Sequence, residues 1–264
     1  MLEQKRSVWF TVLACFIVFL FLFILIKSFY GLDYQWDFSV LKNYLWIKTP
    51  NGHYAPGLFF QGLYITVKMS FISIFFGTIL GFFIGFLLIK NEIVSKISAL
   101  FYVDLFRNTP VLVQLYISYF IVGTAFNLSG EAAGILTLSL FCAAYVAEIF
   151  RGTVSNFDKG QIDAAKALGL TQFQIVKRII APQTLKLMLP PLIGQFVSLI
   201  KDSSLLSVVA IPELTKEAQN AVTVTFRSFE IWFFIAVLYF VVNTVVSSLG
   251  RLLEKNIGIT HSTL

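Results

Sequence analysis

Six apolar stretches divide this chain, and each is long enough to form a helix across a membrane. A membrane-spanning helix needs about 20 predominantly apolar residues. Polar segments separate the stretches, so the pattern predicts an all-α polytopic membrane protein with six transmembrane helices. The predicted spans are Val8–Ile26, Phe59–Ile89, Pro110 to about Phe126, about Ala132–Phe150, Leu187 to about Leu206, and Phe229–Leu249.

The distribution of lysine and arginine gives these spans an orientation. Both residue types are more frequent in the terminal segments and after the second and fourth spans than in the other polar segments. Because cytoplasmic segments carry such an excess, we predict that both termini are cytoplasmic. The chain then divides into an N-terminal transmembrane helix (1–30), an external loop (31–57), a core (58–250) with a cytoplasmic loop (155–186), and a cytoplasmic tail (251–264).

The first apolar run has a second interpretation, as a signal peptide. A signal peptide has an apolar region of about 7–15 residues that ends in a cleavage site of small residues. The run from Val8 to Ile26 is longer and continues into Lys27. We therefore predict that it is retained as a transmembrane helix.

Composition supports a membrane protein and argues against other classes. Hydrophobic residues make up 57% of the 264 residues and charged residues 13%, whereas soluble domains have about 25% charged residues. The net charge of +6 lies mainly beside the spans, where anionic lipid attracts it, and does not indicate nucleic-acid binding. Cys15 and Cys142 are isolated thiols in apolar spans. No cluster of side chains has metal-ligand spacing, so no metal site is predicted.

Three glycines repeat at every fourth position in the second predicted span. Gly77, Gly81 and Gly85 form a stripe that lets another helix backbone approach closely. The partner helix is either in the same chain or in a second subunit, and the spacing alone leaves both possibilities open.

The polar segment from Gly160 to Pro182 predicts a helix, a glycine turn and a second helix. Its first part is rich in Ala, Leu and Lys, which favour helix, and Gly169 suits the left-handed position that ends one. Asp163 lies in the first turn, where a carboxylate favours the helix dipole. Small side chains at Ala164, Ala165 and Ala167 are expected to be exposed and to let this helix enter a groove of another protein. An ordinary solvated loop is the alternative.

The second helix of this segment has its own start and stop signals. Thr171 and Gln174 have the form of a capping box. Apolar residues repeat at Phe173, Val176 and Ile180, and Pro182 is expected to interrupt the helix.

Four motifs resemble those of a known transporter family. Asp163–Pro182 resembles the E-A-A-x-x-x-G-(nine residues)-I-x-L-P signature of binding-protein-dependent ABC importer permeases, with Asp163 for Glu and Ala181 for Leu. Three further runs are similar to motifs of the polar amino-acid branch and follow in the same order. They are F-R-N-T-P-V-L-V-Q-L at 106–115, A-Y-V-A-E-I-F-R-G at 144–152, and K-D-S-S-L at 201–205.

The resemblance implies a permease subunit in a bacterial cytoplasmic (inner) membrane, not an enzyme. It implies a five-helix type I importer core with one extra N-terminal helix. The implied partners are a cytoplasmic ABC ATPase dimer, a second permease subunit (identical or homologous), an external amino-acid-binding protein and the lipid bilayer. The chain has no G-x-x-x-x-G-K-[ST] loop, so ATP and Mg would bind to the partner ATPase, and no cofactor is expected in this chain. The residues implied to contact the ATPase are Gly160, Asp163, Ala164, Ala165, Gly169, Ile179 and Pro182.

Polar residues within spans are candidates for the substrate pathway, because ionisable groups there cost about 2.5–3.5 kcal/mol each. Each also has a structural interpretation: Arg107 as an anchor at the membrane surface, Glu148 paired with Arg151, and the others in ion pairs or helix–helix hydrogen bonds. The candidates are Arg107, Gln114, Tyr119, Glu148, Gln195, Lys201, Asp202 and Ser203.

Two other function classes remain as alternatives. An ion-coupled carrier or channel would work without a docking helix for an ATPase. An intramembrane enzyme would need a catalytic constellation at membrane depth, and no predicted span contains a histidine. We therefore predict a transport subunit for polar amino acids.

Overall fold

The computed structural model describes residues 13, 15–21, 23–24, 27, 34–90 and 92–258. The chain divides into two compact units, Met1–Phe38 and Ser39–Leu264. In the first unit, residues 15–21 are helical and exposed. Nine of the 19 residues of the predicted first span and the end of the predicted tail lie outside the described residues.

Helices form most of the second unit, with one small hairpin. In chain order the described elements are a 3-10 helix (Phe38–Leu41), α1 (Lys42–Leu45), β1 (Trp46–Lys48), β2 (Tyr54–Pro56), α2 (Leu58–Ile89), α3 (Ile93–Asn108), α4 (Val111–Ala125), α5 (Gly130–Ser155), α6 (Lys159–Ala167), α7 (Gln172–Val209), α8 (Leu214–Thr225) and α9 (Ser228–Asn256).

Four of the described helices are long and apolar enough to cross a membrane, and they include four of the predicted spans. These are α2, α5, α7 and α9, while α4 is a shorter apolar helix at the predicted third span. The prediction of a helical, multi-span membrane protein is therefore confirmed.

The prediction that Pro182 interrupts a helix is wrong. Helix α7 begins at Gln172 rather than near Leu187 and continues through Pro182, Pro190 and Pro191. A π-helical turn, Val176–Ile180, ends two residues before Pro182, which lies in the first turn of the regular α-helical segment that begins at Ala181. Because a proline ring collides with the carbonyl four residues earlier in a regular helix, the wider π turn removes the conflict.

The prediction that the chain is purely α-helical is also incomplete. Strands β1 and β2 pair antiparallel within the predicted external loop, with Trp46 opposite Pro56. Helix α1, which leads into the hairpin, packs on α2, where Tyr44 stacks on Phe59 at 5.2 Å between ring centroids. A Cβ atom at Gly57 would collide with the Tyr44 carbonyl, so only glycine fits this junction.

The core of the second unit lies between α2, α5 and α7. Its buried side chains come from all three helices, with further contributions from α4 and the segment after α7. They are Met69, Leu115, Leu138, Cys142, Val146, Met188, Leu192, Leu199, Leu206, Val209 and Ile211.

The glycine stripe of α2 lies against α5 of the same chain. A Cβ at Gly77 would be 2.6 Å from the Cys142 Cβ, and one at Gly81 would be 2.5 Å from the Val146 Cβ. Gly85 faces Phe150 in the same way. The structure therefore places this close approach within one chain, since small residues let the two backbones meet.

We expect Gly81→Ala to destabilise the helical core by about 1–3 kcal/mol, because overpacking a close contact costs this much. The added methyl group would collide with Val146 and with the Ala143 carbonyl, 2.8 Å away. Gly152→Ala in α5 is the matched control, since nothing lies within 4 Å of its Cβ position. Thermal unfolding in detergent would measure both variants. Equal midpoints would contradict the close contact.

Near the start of α2, the Glu213 side chain links three helices, α2, α8 and α9. Its carboxylate accepts hydrogen bonds from the Thr66 hydroxyl of α2 (3.3 Å) and the Tyr239 hydroxyl of α9 (3.0 Å). It also accepts from the Lys216 backbone N–H (2.8 Å) and so caps α8. The side chain is fully buried. Burial raises the pKa of this carboxyl, and the hydrogen bonds from its neighbours oppose that rise only in part.

Candidate functional site

Helix α6 is defined at both ends by local interactions. Asp158 caps its start by accepting a hydrogen bond from the Gly160 N–H at 2.8 Å. At its end, Gly169 adopts the left-handed conformation (φ +76°) and donates to the Lys166 carbonyl, while Leu170 donates to the Ala165 carbonyl. These two bonds form a Schellman motif. The glycine turn is therefore present at the predicted position.

The exposed face of α6 differs from the predicted one. Ala164 and Ala167 are exposed, but Ala165 is only 3% exposed, so the prediction that all three alanines face outward is wrong. The physical reason is that adjacent residues of a helix point about 100° apart, so Ala164 and Ala165 cannot share one face. Leu168 lies one turn from Ala164 and is 80% exposed. We call Ala164, Ala167 and Leu168 the coupling face.

Other predicted ATPase-contact residues lie around this face. Gly160 is in the first turn of α6. The prediction that Asp163 also lies in the first turn is wrong, because the helix begins at Lys159 and no acidic residue falls in that turn. Asp163 is exposed and forms a loose ion pair with Lys166 at 3.5 Å. Ile179 is half-buried in the π-helical turn of α7, and Pro182 is exposed one turn later.

The start of α7 also exposes apolar surface. The predicted apolar repeat of Phe173, Val176 and Ile180 does not form the buried side of this helix, because Phe173 is 72% exposed and Ile175 is the residue that is fully buried. A single helical turn between a glycine turn and a π-helical segment is too short for periodicity to identify its buried side.

Helix α7 has a capped first turn, and a side-chain hydrogen bond joins it to α6. Thr171 and Gln174 form the predicted capping box, and the Gln183 amide donates to the Gln161 side-chain oxygen at 2.9 Å. From Gln172, α7 continues to Lys201, a distance of about 44 Å at 1.5 Å per residue. Helix α7 therefore extends from the segment beside α6 to the far half that holds Lys201.

In that far half, α7 and α5 line an open cavity of about 450 Å³, which we call the polar cavity because the α7 side chains that line it are polar. Three of the predicted pathway residues line it: Gln195, Lys201 and Asp202. Lys201 and Asp202 form no ion pair among the described residues. One carboxylate, one ammonium, one amide and a hydroxyl from Ser198 are thus available to a small polar molecule. Phe141 and Tyr145 form the aromatic wall, with ring centroids 4.9 Å apart.

Two other predicted pathway residues have structural roles instead. The Ser203 hydroxyl is fully buried and donates to the Ile200 carbonyl at 2.8 Å. The Gln114 amide donates to the carbonyls of Phe106 and Thr109 and closes the junction between α3 and α4. Gln114 lines a separate, mainly apolar cavity of about 350 Å³. Tyr119 packs against the core and does not line the polar cavity.

Arg107 and Glu148 form a charged cluster beside the cavity. Arg151 binds the Glu148 carboxylate through two hydrogen bonds of 2.6 and 2.9 Å, and Arg107 lies 3.5 Å from the same carboxylate. The Arg107 guanidinium also lies over the Tyr145 ring, 5.4 Å from its centroid. Tyr145 therefore connects this cluster to the cavity.

The sequence prediction missed Phe141, Tyr145 and Ser198. Gln195, Ser198 and Asp202 are three and four residues apart, so they share one face of α7. That spacing could have identified Ser198. Phe141 and Tyr145 lie four residues apart on α5, but nothing in the sequence indicates that this face meets α7.

Comparison with known proteins gives the family. Residues 73–259 match the sequence profile of the binding-protein-dependent transport system inner membrane component family. This chain belongs to that family. The resemblance noted from its four motifs is thereby confirmed, and the chain is the permease subunit of an ABC importer.

Relatives of the permease match it over most of their length. It is 34% identical over 208 residues to the glutamine transport system permease protein GlnP of Escherichia coli (strain K12), a match that covers 78% of this chain and 95% of GlnP. The putative glutamine transport system permease protein GlnP of Rickettsia conorii is also 34% identical over 208 residues, covering 76% and 94%.

Solved structures share the fold of the permease. The crystal structure of an amino acid ABC transporter with histidines matches with a TM-score of 0.74 and 33% identity, covering 84% of this chain and 100% of the other. The inward-facing MetNI methionine ABC transporter matches with a TM-score of 0.66 at 21% identity, covering 76% and 96%. The second match bears on the fold alone.

Proposed function

We propose that this permease carries polar amino acids across a bacterial cytoplasmic membrane. The observation that supports this substrate class is the cavity that presents Gln195, Lys201 and Asp202 beside an aromatic wall. An amino acid carries one ammonium and one carboxylate, and the cavity offers the complementary carboxylate and ammonium. The names of the relatives, a glutamine permease and an amino acid transporter, agree with it.

The proposed arrangement has six spans with both termini cytoplasmic. The four long described helices and α4 account for five of them, and the apolar run Val8–Ile26 supplies the sixth. In this orientation α6 lies on the cytoplasmic side, and the β1–β2 hairpin and α8 lie outside. The excess of lysine and arginine near α6 supports it.

The proposed partners follow from this arrangement. A cytoplasmic ABC ATPase dimer, which binds ATP and Mg, would receive the coupling face of α6 on each of two permease subunits. An external binding protein would deliver the substrate. When the ATPases close, α6 moves, and α7 carries that motion to Lys201 and Asp202. This is alternating access by rigid-body motion around a site in the membrane.

Reconstitution tests this function directly. The permease, its ATPase and the external binding protein are placed in liposomes, and uptake is measured across a panel of acidic, amide and basic amino acids. We expect uptake that requires both ATP and the ATPase. Uptake driven by an ion gradient with the ATPase omitted would instead support the alternative of a self-sufficient carrier.

We expect Asp202→Asn to weaken amino-acid binding at least tenfold. The substitution removes the carboxylate that faces the substrate ammonium, and hydrogen bonds to charged groups contribute about 1.5–3 kcal/mol. A tenfold change in Kd corresponds to about 1.4 kcal/mol. Equilibrium binding to the purified permease–ATPase complex, without binding protein, is the measurement.

Ser203→Ala is the matched control for this experiment. Ser203 is adjacent to Asp202, but its hydroxyl is buried and bonded within its own helix. It should leave the Kd unchanged. A Kd for Asp202→Asn within twofold of the wild-type value would exclude Asp202 from the site.

A further inference from the structure

The external hairpin and the adjoining end of α2 expose a basic, aromatic surface. Trp46, Tyr54 and Tyr64 are 52%, 72% and 69% exposed. They line two open cavities of about 790 and 750 Å³ that share Trp46, and Lys42 and Lys48 belong to the first of these. We call Lys42, Trp46, Lys48, Tyr54 and Tyr64 the outer surface patch.

The length of α2 places this patch beyond the hydrocarbon of the membrane. The helix has 32 residues and is about 48 Å long, whereas the hydrocarbon core is about 30 Å thick. An exposed ion pair between Lys68 and Glu131, at 3.1 Å, indicates where the hydrocarbon ends. Leu58 lies about 15 Å further along the helix. The patch therefore lies at the level of the outer headgroups or in the water above them.

The patch is held rigidly on the helix bundle. The Trp46 and Phe60 ring centroids are 5.4 Å apart, and the Gln61 amide donates to the Pro56 carbonyl at 2.8 Å. Leu41, just before the hairpin, is buried in a cluster with Leu214 of α8 and Ile231 of α9. A surface that is ordered in advance loses less entropy on binding a partner.

The charge of the patch indicates the chemistry of its partner. Residues 39–57 contain Lys42, Lys48 and His53 but no Asp or Glu. Neither lysine forms an ion pair within the part of the chain that the structure describes. Exposed tyrosine and tryptophan together with uncompensated positive charge are suited to an acidic protein surface, because aromatic residues dominate binding energy and charge guides association.

We propose that the outer surface patch binds an acidic region of the external binding protein. This inference rests on the proposed function, because it requires an importer that receives its substrate from such a protein. The patch lies before residue 73, where the match to the family profile begins.

The test uses the permease–ATPase complex in lipid nanodiscs, with the binding protein that drives uptake in the reconstituted system. The concentration of binding protein that gives half-maximal ATPase stimulation is measured for Lys42→Glu/Lys48→Glu and for Tyr54→Ala. We expect at least a tenfold increase for the charge reversal, with the maximal rate approached at high binding-protein concentration. We expect a threefold to tenfold increase for Tyr54→Ala, which leaves the charge unchanged.

Lys96→Glu is the matched control, because it reverses an exposed lysine in α3 on the proposed cytoplasmic side. An unchanged half-maximal concentration in both patch variants would overturn the proposal while leaving the transport function intact. An effect that depends on the phosphatidylglycerol content of the nanodisc would also overturn the proposal, because the patch would then bind lipid headgroups. Absence of stimulation in the wild-type complex would refute the proposed function itself.

Discussion

Replacing Ala164 with tryptophan is expected to reduce ATP-driven uptake by about 100-fold while the permease remains folded. Ala164 is exposed on α6, next to Leu168, and its methyl group is the smallest side chain that keeps the helix stable. A helix that enters a groove of the ATPase tolerates little added volume there. Overpacking costs about 1–3 kcal/mol, and 2.7 kcal/mol is about 100-fold in affinity. Copurification of the ATPase and uptake in liposomes are the two measurements.

Two controls separate coupling from folding in this experiment. Ala165→Trp alters the neighbouring residue, which is buried, so it should lower the thermal midpoint of the isolated permease. Ala164→Trp should leave that midpoint unchanged. Lys255→Trp adds the same bulk at an exposed site near the end of α9 and should preserve uptake. Normal ATPase binding and uptake in Ala164→Trp would show that α6 is not the docking element.

The features that the sequence predicted correctly are local ones. Gly169 ends α6 because few other residues adopt φ +76° without strain, and Thr171 and Gln174 cap α7 through neighbours three residues apart. Four of the six predicted spans lie in long described helices, because crossing a membrane requires continuous apolar length. The buried side of α6 was not predicted, since nine residues are too few for the hydrophobic pattern to distinguish Ala164 from Ala165.

The features that were missed depend on contacts between distant segments. The polar cavity forms because Tyr145 of α5 faces Ser198 of α7, and no spacing within either helix shows that these faces meet. Likewise, Ser203 was a candidate because it lies in a motif, yet its hydroxyl is bonded to its own helix. The continuation of α7 through Pro182 depends on a π-helical turn, which changes the ladder of backbone hydrogen bonds without an obvious signal in the sequence.

Glu213→Ala is expected to destabilise the permease by about 2–4 kcal/mol. The substitution removes the cap of α8, which contributes about 1 kcal/mol. It also takes an acceptor from the buried hydroxyls of Thr66 and Tyr239, and unsatisfied groups cost about 1–3 kcal/mol. The total stays below the sum of these costs, because the Thr66 hydroxyl still donates to the Gly62 carbonyl at 3.1 Å and Tyr239 keeps a contact with Thr215. The thermal midpoint in detergent should fall by about 5–15 °C.

Glu213→Gln tests whether the protonated carboxyl is the form that the fold prefers. Burial raises the pKa of Glu213 above its value in the unfolded chain, about 4.3. The folded state then holds the proton more tightly, so stability from this group is greatest below about pH 4.3 and is lost as the pH rises through the raised pKa. Glutamine resembles the protonated form and does not titrate. The variant should therefore lose less stability than the wild type over that pH range. Burial also raises the pKa of Glu217, and this group titrates in both proteins. Identical pH profiles for the two proteins would show that Glu213 binds its proton equally in the folded and unfolded states, and that the hydrogen bonds from Thr66, Tyr239 and Lys216 balance the cost of burying its charge.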